Sequence, residues 1–280
     1  MTPTLKPDTT LAFVGGGNMA RSIIGGLISS DWPADRILVS DPSGSQRDFL
    51  QTQFNVSCFA DNCQCVETAD IVILAVKPQR LKQALDSIRN PLIARRPLLI
   101  SIAAGIRSTT IAHWVGGALP IVRVMPNTPA LVNCGVSGLM ANPLASDQQK
   151  RDSEQIMRAV GEVVWVNSDE DIDTVTGISG SGPAYFFKLM ESMVQAGIDH
   201  GLDGPTARIL ALQTALGAAR LALDSEHGPA ELRRQVTSPG GTTEAAIRTM
   251  ENLNIDAAFS SGINAAIVKS DDLAKTLGEM

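Results

Sequence analysis

Hydrophobic residues come in short runs through the first half of the chain, at Leu11–Val14, Ile37–Ser40, 71–76, 98–102, 121–124 and 163–166, with helical periodicity between them. Runs this short and this continuously apolar read as strands covered on both faces, and strands alternating with helices predict a mostly parallel sheet. From about Asp169 the strand-like runs stop. Segments 183–200, 205–223, 244–251 and 255–277 read as helices, set apart by Gly, Pro and Asp. The expected fold class is α/β, with a doubly wound sheet over residues 1–167 and an all-helical domain over 168–280.

One of those helices has no polar face. Ile209, Leu210, Leu212, Leu216, Leu221 and Leu223, with alanines between them, wrap nearly its whole circumference. A helix apolar all round must be buried. The other helices of that half are too few to enclose it, so part of its surface is expected to meet a second copy of the chain, in a homodimer or larger homo-oligomer. A central position in a single-chain bundle is the alternative.

Composition narrows the partners. With 280 residues and 44% hydrophobic content the chain can bury a large core, and a net charge of -6 without a Lys/Arg cluster excludes a polyanion footprint. Nucleic acid and anionic membrane are therefore not expected; a small molecule is. Residues 1–10 are polar and hold two prolines, and no later stretch reaches the roughly 18 apolar residues of a membrane span, which points to the cytoplasm. Cys58, Cys63, Cys65 and Cys134 form no C-x-x-C pair and have no nearby histidine, so they read as reduced thiols in or near packed elements and no metal site is expected.

Candidate chemistry begins at the first strand. Leu11–Val14 runs into Gly15-Gly16-Gly17-Asn18-Met19-Ala20 and then an amphipathic helix, which satisfies G-x-G-x-x-G/A in its proper context and makes the domain Rossmann-type. The first glycine permits the tight turn, Gly17 lets backbone approach a pyrophosphate, and the helix start, including Asn18 and Met19, offers N–H groups to phosphate. The second strand ends at Asp41, where a carboxylate can accept the ribose hydroxyls of NAD. Ser40, Ser43, Ser45 and Arg47 share that turn and can hold a 2′-phosphate, and Asp41 before Pro42 can simply start the turn, so NADPH or NADH both remain open. Lys77-Pro78-Gln79 and Met125-Pro126-Asn127-Thr128-Pro129 follow later strands, at the edge where open α/β sheets carry their ligand crevice.

The helical half holds two Gly-rich loops, Gly180-Ser181-Gly182-Pro183-Ala184-Tyr185 and Val236-Thr237-Ser238-Pro239-Gly240-Gly241-Thr242-Thr243, each feeding a helix N-terminus. The second suits a carboxylate, through backbone N–H groups and the helix dipole, although helix caps use the same residues. G-G-G-N-M-A, A-V-K-P-Q at 75–79, M-P-N-T-P at 125–129, S-G-S-G-P-A-Y at 179–185 and V-T-S-P-G-G-T-T at 236–243 occur in this order. Together they resemble the pyrroline-5-carboxylate reductase family over residues 11 to about 270.

The resemblance implies an enzyme that reduces 1-pyrroline-5-carboxylate to L-proline with NADPH or NADH, the last step of proline biosynthesis. It implies a Rossmann domain, a helical dimerisation domain that interlocks with a partner's, and active sites at that interface. By the same resemblance Ser238, Gly240, Gly241 and Thr242 would hold the substrate carboxylate and Thr243 the ring nitrogen. Ala75, Lys77 and Asn127 would flank the nicotinamide beside Pro78, Asn62 would touch the cofactor and Glu226 the site. Gly16 departs from the family, where alanine is common, and should only loosen the turn.

Such a reaction asks little of side chains. A protonated C=N bond is already a strong electrophile, so the protein must align hydride donor and ring carbon and exclude water. His113, His200 and His227 all lie outside the Gly-rich motifs and read as surface or helix-end residues. Two rivals remain. A β-hydroxyacid dehydrogenase would need a catalytic lysine, for which Lys188 is the candidate, and a redox-sensing nucleotide-binding protein would have no turnover at all.

Overall fold

The computed structural model describes Lys6 and residues 8–278, so most of the polar stretch read at the chain start lies outside the described residues. Along β1 (Leu11–Val14), Leu11 and Phe13 face one layer while Ala12 and Val14 face the other, and all four are fully buried. The alternation follows from the two-residue period of a strand, and it explains why the run carries no polar residue.

The sheet continues through β2 (Ile37–Ser40), β3 (Ser57–Phe59), β4 (Ile71–Leu74), β5 (Leu98–Ser101), β6 (Ile121–Met125), β7 (Gly135–Ala141) and β8 (Gly161–Trp165), with both faces covered in its central strands and exposed residues at its edges, β3 and β8. The strands form one sheet in the order β3-β2-β1-β4-β5-β6-β7-β8, parallel except where β7 runs against β6. On one face pack α1 (Asn18–Ser29), α2 (Gly44–Phe54) and α6 (Asp147–Arg158), through Ile23, Ile24, Leu27, Leu50, Ile156 and Met157. On the other pack α3 (Asn62–Val66), α4 (Pro78–Arg95) and α5 (Ser108–Val115), through Cys65, Leu81, Leu85, Ile88, Ile111 and Trp114.

The sheet holds two strands that the apolar runs did not announce. β3 is a three-residue edge strand that is only partly buried, and β7 is interrupted by Gly135, Ser137 and Gly138, so neither presents a continuous apolar run. Beyond α7 (Asp169–Val175) a π-turn at Thr176–Gly180, closed by the Ser181 N–H on the Thr176 carbonyl at 2.8 Å, leads into α8 (Gly182–Asp199). The chain continues as α9 (Gly204–Asp224), α10 (Pro229–Gln235), α11 (Thr242–Asn252) and α12 (Ile255–Gly278), an all-helical stretch. α10 is the one helix of this stretch without a sequence forecast. Among the described residues no helix is long and apolar enough to cross a membrane.

By packing, the described chain forms two units: everything up to Ser181 together with the residues from Ala265 on, and Gly182–Asn264. This division falls later than the expected 167/168 boundary and returns the end of α12 to the first unit. The reason is a buried polar cluster. Arg123 of β6, 1% exposed, bonds Asp169 Oδ1 at 2.6 Å, and the Ser270 hydroxyl of α12 donates to Asp173 at 2.7 Å. Arg107 reaches Asp271 at 2.9 Å and Glu170 at 3.1 Å, while Leu277 enters the apolar layer beside α4 and α5.

Within the helical unit, α9 buries only Ala207 and Ala211. Leu216 is 53% and Leu223 83% exposed, so one chain does not cover the helix whose sequence demands cover.

Candidate functional site

At the C-terminal ends of β1, β2 and β4 lies a cleft of about 510 Å³, lined among others by Gly15, Gly17, Ser40, Asp41, Asn62, Ala75 and Lys77. The parallel sheet makes the position natural, since the turns after adjacent strands open at one edge. Gly15 sits at φ +103°, and a Cβ there would stand 2.7 Å from the Ala75 carbonyl oxygen, so only glycine fits the turn from β1 into α1, beside the end of β4. A Cβ on Gly17 would meet nothing within 4 Å. Gly17 caps α1, whose first N–H groups have no intrahelical acceptor and point out of the helix start. An open cradle before a helix N-terminus fits a pyrophosphate, and the cleft fits a dinucleotide.

The second turn is more tightly tied than its sequence suggests. Asp41 accepts the Gly16 N–H on Oδ2 and the Ser43 N–H on Oδ1, each at 2.9 Å. Arg47 Nη1 donates to the carbonyls of Asp41 at 2.7 Å and Pro42 at 3.0 Å, and the Ser43 and Ser45 hydroxyls pair at 2.9 Å. Ser40 is fully buried, and its hydroxyl reaches the Phe13 carbonyl at 3.4 Å. Lys77 caps α4 and is exposed. Asn62 opens α3 and donates to the Ser87 hydroxyl at 3.1 Å.

Four of the expected cofactor residues do not line this cleft. Met19 packs against the core, Asn18 lies exposed in the first turn of α1, and Pro78 forms the first turn of α4. Asn127, 8% exposed, uses its amide on the backbone, accepting the Val136 N–H at 3.0 Å and donating to the Ser179 carbonyl at 3.1 Å. Conversely, Arg80, Gln83 and Ser87 line the cleft without having been singled out. Their spacing along α4 after Lys77, three and four residues apart, was the available signal.

Burial also sets the thiols of this region. Cys65 is fully buried, and burial pushes its thiol up to about 12; burial raises Cys58 as well. Cys134 is exposed, directly before the buried start of β7. No group of His, Cys, Asp and Glu that could hold a metal ion occurs among the described residues.

The helical unit places Ser238, Gly240, Gly241, Thr242 and Thr243 at the start of α11. Gly240 takes φ +72°, and the Gly241 N–H closes a turn on the Ser238 carbonyl at 3.0 Å. Glu244 reaches back to the Gly240 N–H at 2.8 Å, a helix-start contact of the kind a Glu at the third helical position makes. This leaves the N–H groups of Thr242, Thr243 and Glu244 as the donors of the helix start. Thr243 is half-buried while Ser238, Gly240 and Thr242 are exposed, and Glu226, after α9, is exposed too. All three histidines are exposed. Lys188 pairs with Glu191 at 3.1 Å and is largely exposed, a poor setting for a catalytic base.

A family profile described as "Pyrroline-5-carboxylate reductase dimerisation" matches residues 169–273, and one described as "NADP oxidoreductase coenzyme F420-dependent" matches 10–105. A pyrroline-5-carboxylate reductase of Pseudomonas aeruginosa is 47% identical over 96% of this chain and 98% of its own. The solved structure of a pyrroline-5-carboxylate reductase from Coxiella burnetii superposes with a TM-score of 0.91 at 43% identity, covering 95% of this chain and 98% of that one. A Plasmodium falciparum pyrroline carboxylate reductase with NADP bound gives 0.85 at 27% identity, over 96% of this chain and 100% of that one.

Proposed function

The chain belongs to the pyrroline-5-carboxylate reductase family, and we propose that it reduces 1-pyrroline-5-carboxylate to L-proline with NADPH or NADH. The observation that carries this reading is a dinucleotide cleft with an open Gly17 cradle, in a chain alike to these reductases over almost its whole length. When bound, the nicotinamide supplies the hydride; the ring nitrogen takes up a proton, so that imine, reduced cofactor and proton become amine and oxidised cofactor.

The chain's own residues bind and orient. In this proposal Gly15, Gly17, Asn18 and Met19 present the phosphate cradle, Ser40 and Asp41 border the adenosine end, and Asn62, Ala75, Lys77, Pro78 and Asn127 shape or support the cleft. In the helical unit the N–H groups around Ser238, Gly240, Gly241 and Thr242 receive the substrate carboxylate, favoured by the positive end of α11. Thr243 offers a hydroxyl that can donate to or accept from the ring nitrogen as its protonation changes. Glu226 stands as a neighbouring contact. The bond from Gly240 to Glu244 implies that the carboxylate either uses the remaining donors of the helix start or displaces Glu244.

The reading includes a homodimer or larger homo-oligomer, supported by the uncovered leucines of α9 and by the dimerisation profile over that region. It includes a cytoplasmic location, on the sequence reading alone. The test is steady-state oxidation of NADH and NADPH with pyrroline-5-carboxylate, with proline measured as product. Proline formation with at least one cofactor is expected; none with either overturns the reading.

A further inference from the structure

We propose that Asp41 is a positioning residue that builds the phosphate loop, and that it does not choose between NADH and NADPH. The inference rests on the reading that the cleft holds a nicotinamide dinucleotide. A carboxylate at the end of the second strand invites the role of ribose ligand, in which it would favour NADH and repel a 2′-phosphate. Its surroundings here describe a different part.

Each carboxylate oxygen already accepts a backbone N–H, Oδ2 from Gly16 and Oδ1 from Ser43, at 2.9 Å each, so the side chain is held in place by the protein before any ligand arrives. The two donors belong to different turns. Gly16 sits between the glycine whose positive φ makes the first turn and the glycine whose open side forms the cradle. Ser43 caps α2. One side chain therefore fastens the β1–α1 loop to the β2–α2 turn. The Gly15 N–H is already spent on the Ser40 carbonyl at 2.8 Å, so two consecutive glycine donors are turned toward the end of β2. Only Gly17 and the start of α1 are left facing the cradle.

The site of the fastening also matters. Gly16 is buried and its bond to Asp41 is part-buried at the edge of the cleft, so without the carboxylate its N–H would have no fixed acceptor. A glycine at this place is free to swing, where alanine would be held, and a Cβ on it would press the Leu50 side chain at 2.7 Å. The loop thus lacks the stiffness a side chain would give and takes it from Asp41. A loop set in this way serves the pyrophosphate, which NADH and NADPH share. The turn itself offers other groups to a 2′-phosphate: the paired Ser43 and Ser45 hydroxyls, and Arg47, whose present bonds go to the carbonyls of Asp41 and Pro42.

The experiment uses the full-length protein and reads binding apart from turnover. Kd values for NADH and NADPH are measured by energy transfer from tryptophan to the reduced nicotinamide, for wild type, Asp41→Ala and Asp41→Asn. Amide hydrogen exchange is followed over residues 15–17 and 41–45 in cofactor-free protein. Asp41→Ala is expected to weaken both cofactors by about ten-fold, with the NADH-to-NADPH ratio held within about two-fold, and to speed exchange at Gly16 and Ser43. Asp41→Asn keeps the shape and one acceptor, so it should show the same pattern at smaller size and remains readable if Asp41→Ala folds poorly. A ratio that moves about ten-fold toward NADPH, with NADPH affinity kept or improved, overturns the proposal and returns Asp41 to the ribose. Unchanged affinities for both cofactors overturn it as well. If wild type binds neither cofactor, the reading of the cleft fails before Asp41 is tested.

Discussion

Asn127 holds Ser179: its Nδ2 donates to the Ser179 carbonyl at 3.1 Å while its Oδ1 accepts the N–H of Val136 at 3.0 Å. One buried amide thus ties the loop after β6 both to β7 and to the π-turn that leads into α8. Asn127→Ala leaves a part-buried donor and a part-buried acceptor unpaired, at a cost of about 1–2 kcal/mol, or roughly 2–6 °C in Tm for a protein of this size. Thermal unfolding checks this. Asn127→Asp keeps the acceptor for Val136 but sets a carboxylate oxygen against the Ser179 carbonyl, so it should lose at least as much; equal stability of wild type and Asn127→Ala would show that the amide is not a clamp.

Gly15 and Gly17 separate folding from cofactor binding. Gly15→Ala meets the Ala75 carbonyl at 2.7 Å in a backbone conformation hostile to side chains, so it should destabilise the protein by about 3 kcal/mol or more. Gly17→Ala has room in the cofactor-free protein and should cost about 1 kcal/mol or less. Its methyl group would fill the cradle, so Kd for NADH and NADPH should rise by about ten-fold or more. Cofactor titration beside thermal unfolding reads both, and normal binding by Gly17→Ala would refute the cradle.

Thr243→Ala should lower kcat/KM by roughly 10- to 150-fold, the worth of one hydrogen bond to a charged group. If the bond strengthens in the transition state, kcat carries most of the loss. Cofactor Kd should not change, and Thr243→Ser should keep much of the activity. A Thr243→Ala enzyme running at wild-type rate would reduce the hydroxyl to a feature of the helix start.

The exposed leucines of α9 predict an oligomer. Light scattering should give at least a dimer, and Leu216→Glu, at a position 53% exposed in the single chain, should lower assembly, activity and stability together. A fully active monomer at assay concentration is the outcome that counts against it.

The thiols give a pH-linked test. With Cys65 at about 12, its thiolate fraction at pH 8 is roughly one part in ten thousand. Iodoacetamide at that pH should label Cys134 in the native protein and reach Cys65 only after denaturation, as peptide mass spectrometry would read. Because burial favours the neutral thiol, this protection persists throughout the neutral range and fades only in strong alkali.

Much of this architecture was legible in the chain. The runs at Leu11–Val14 and Ile37–Ser40 announce strands buried on both faces, and the glycine turn after the first announces the cleft. β3 and β7 escaped because an edge strand and a glycine-broken strand carry little apolar signal. At the site, residue types were legible and partners were not. Asp41 and Asn127 stand where a ligand contact is plausible, yet each is already bonded to backbone from segments distant in sequence, which spacing cannot reveal. Nor could the pattern of α12 tell that its end, through Ser270 and Asp271, would be claimed by α7 and Arg107.

That return of α12 has a consequence for synthesis. Ser270, Ala274 and Leu277 are buried, and Ser270 donates to Oδ1 of Asp173, a carboxylate that is 2% exposed. During synthesis the dinucleotide unit therefore lacks part of its packing until α12 has been made, although its eight strands come much earlier in the chain. Until then a face of α4 and α5 and an acidic side chain lack their native cover. A chain cut off before Ser270 keeps every strand of the sheet and loses that cover.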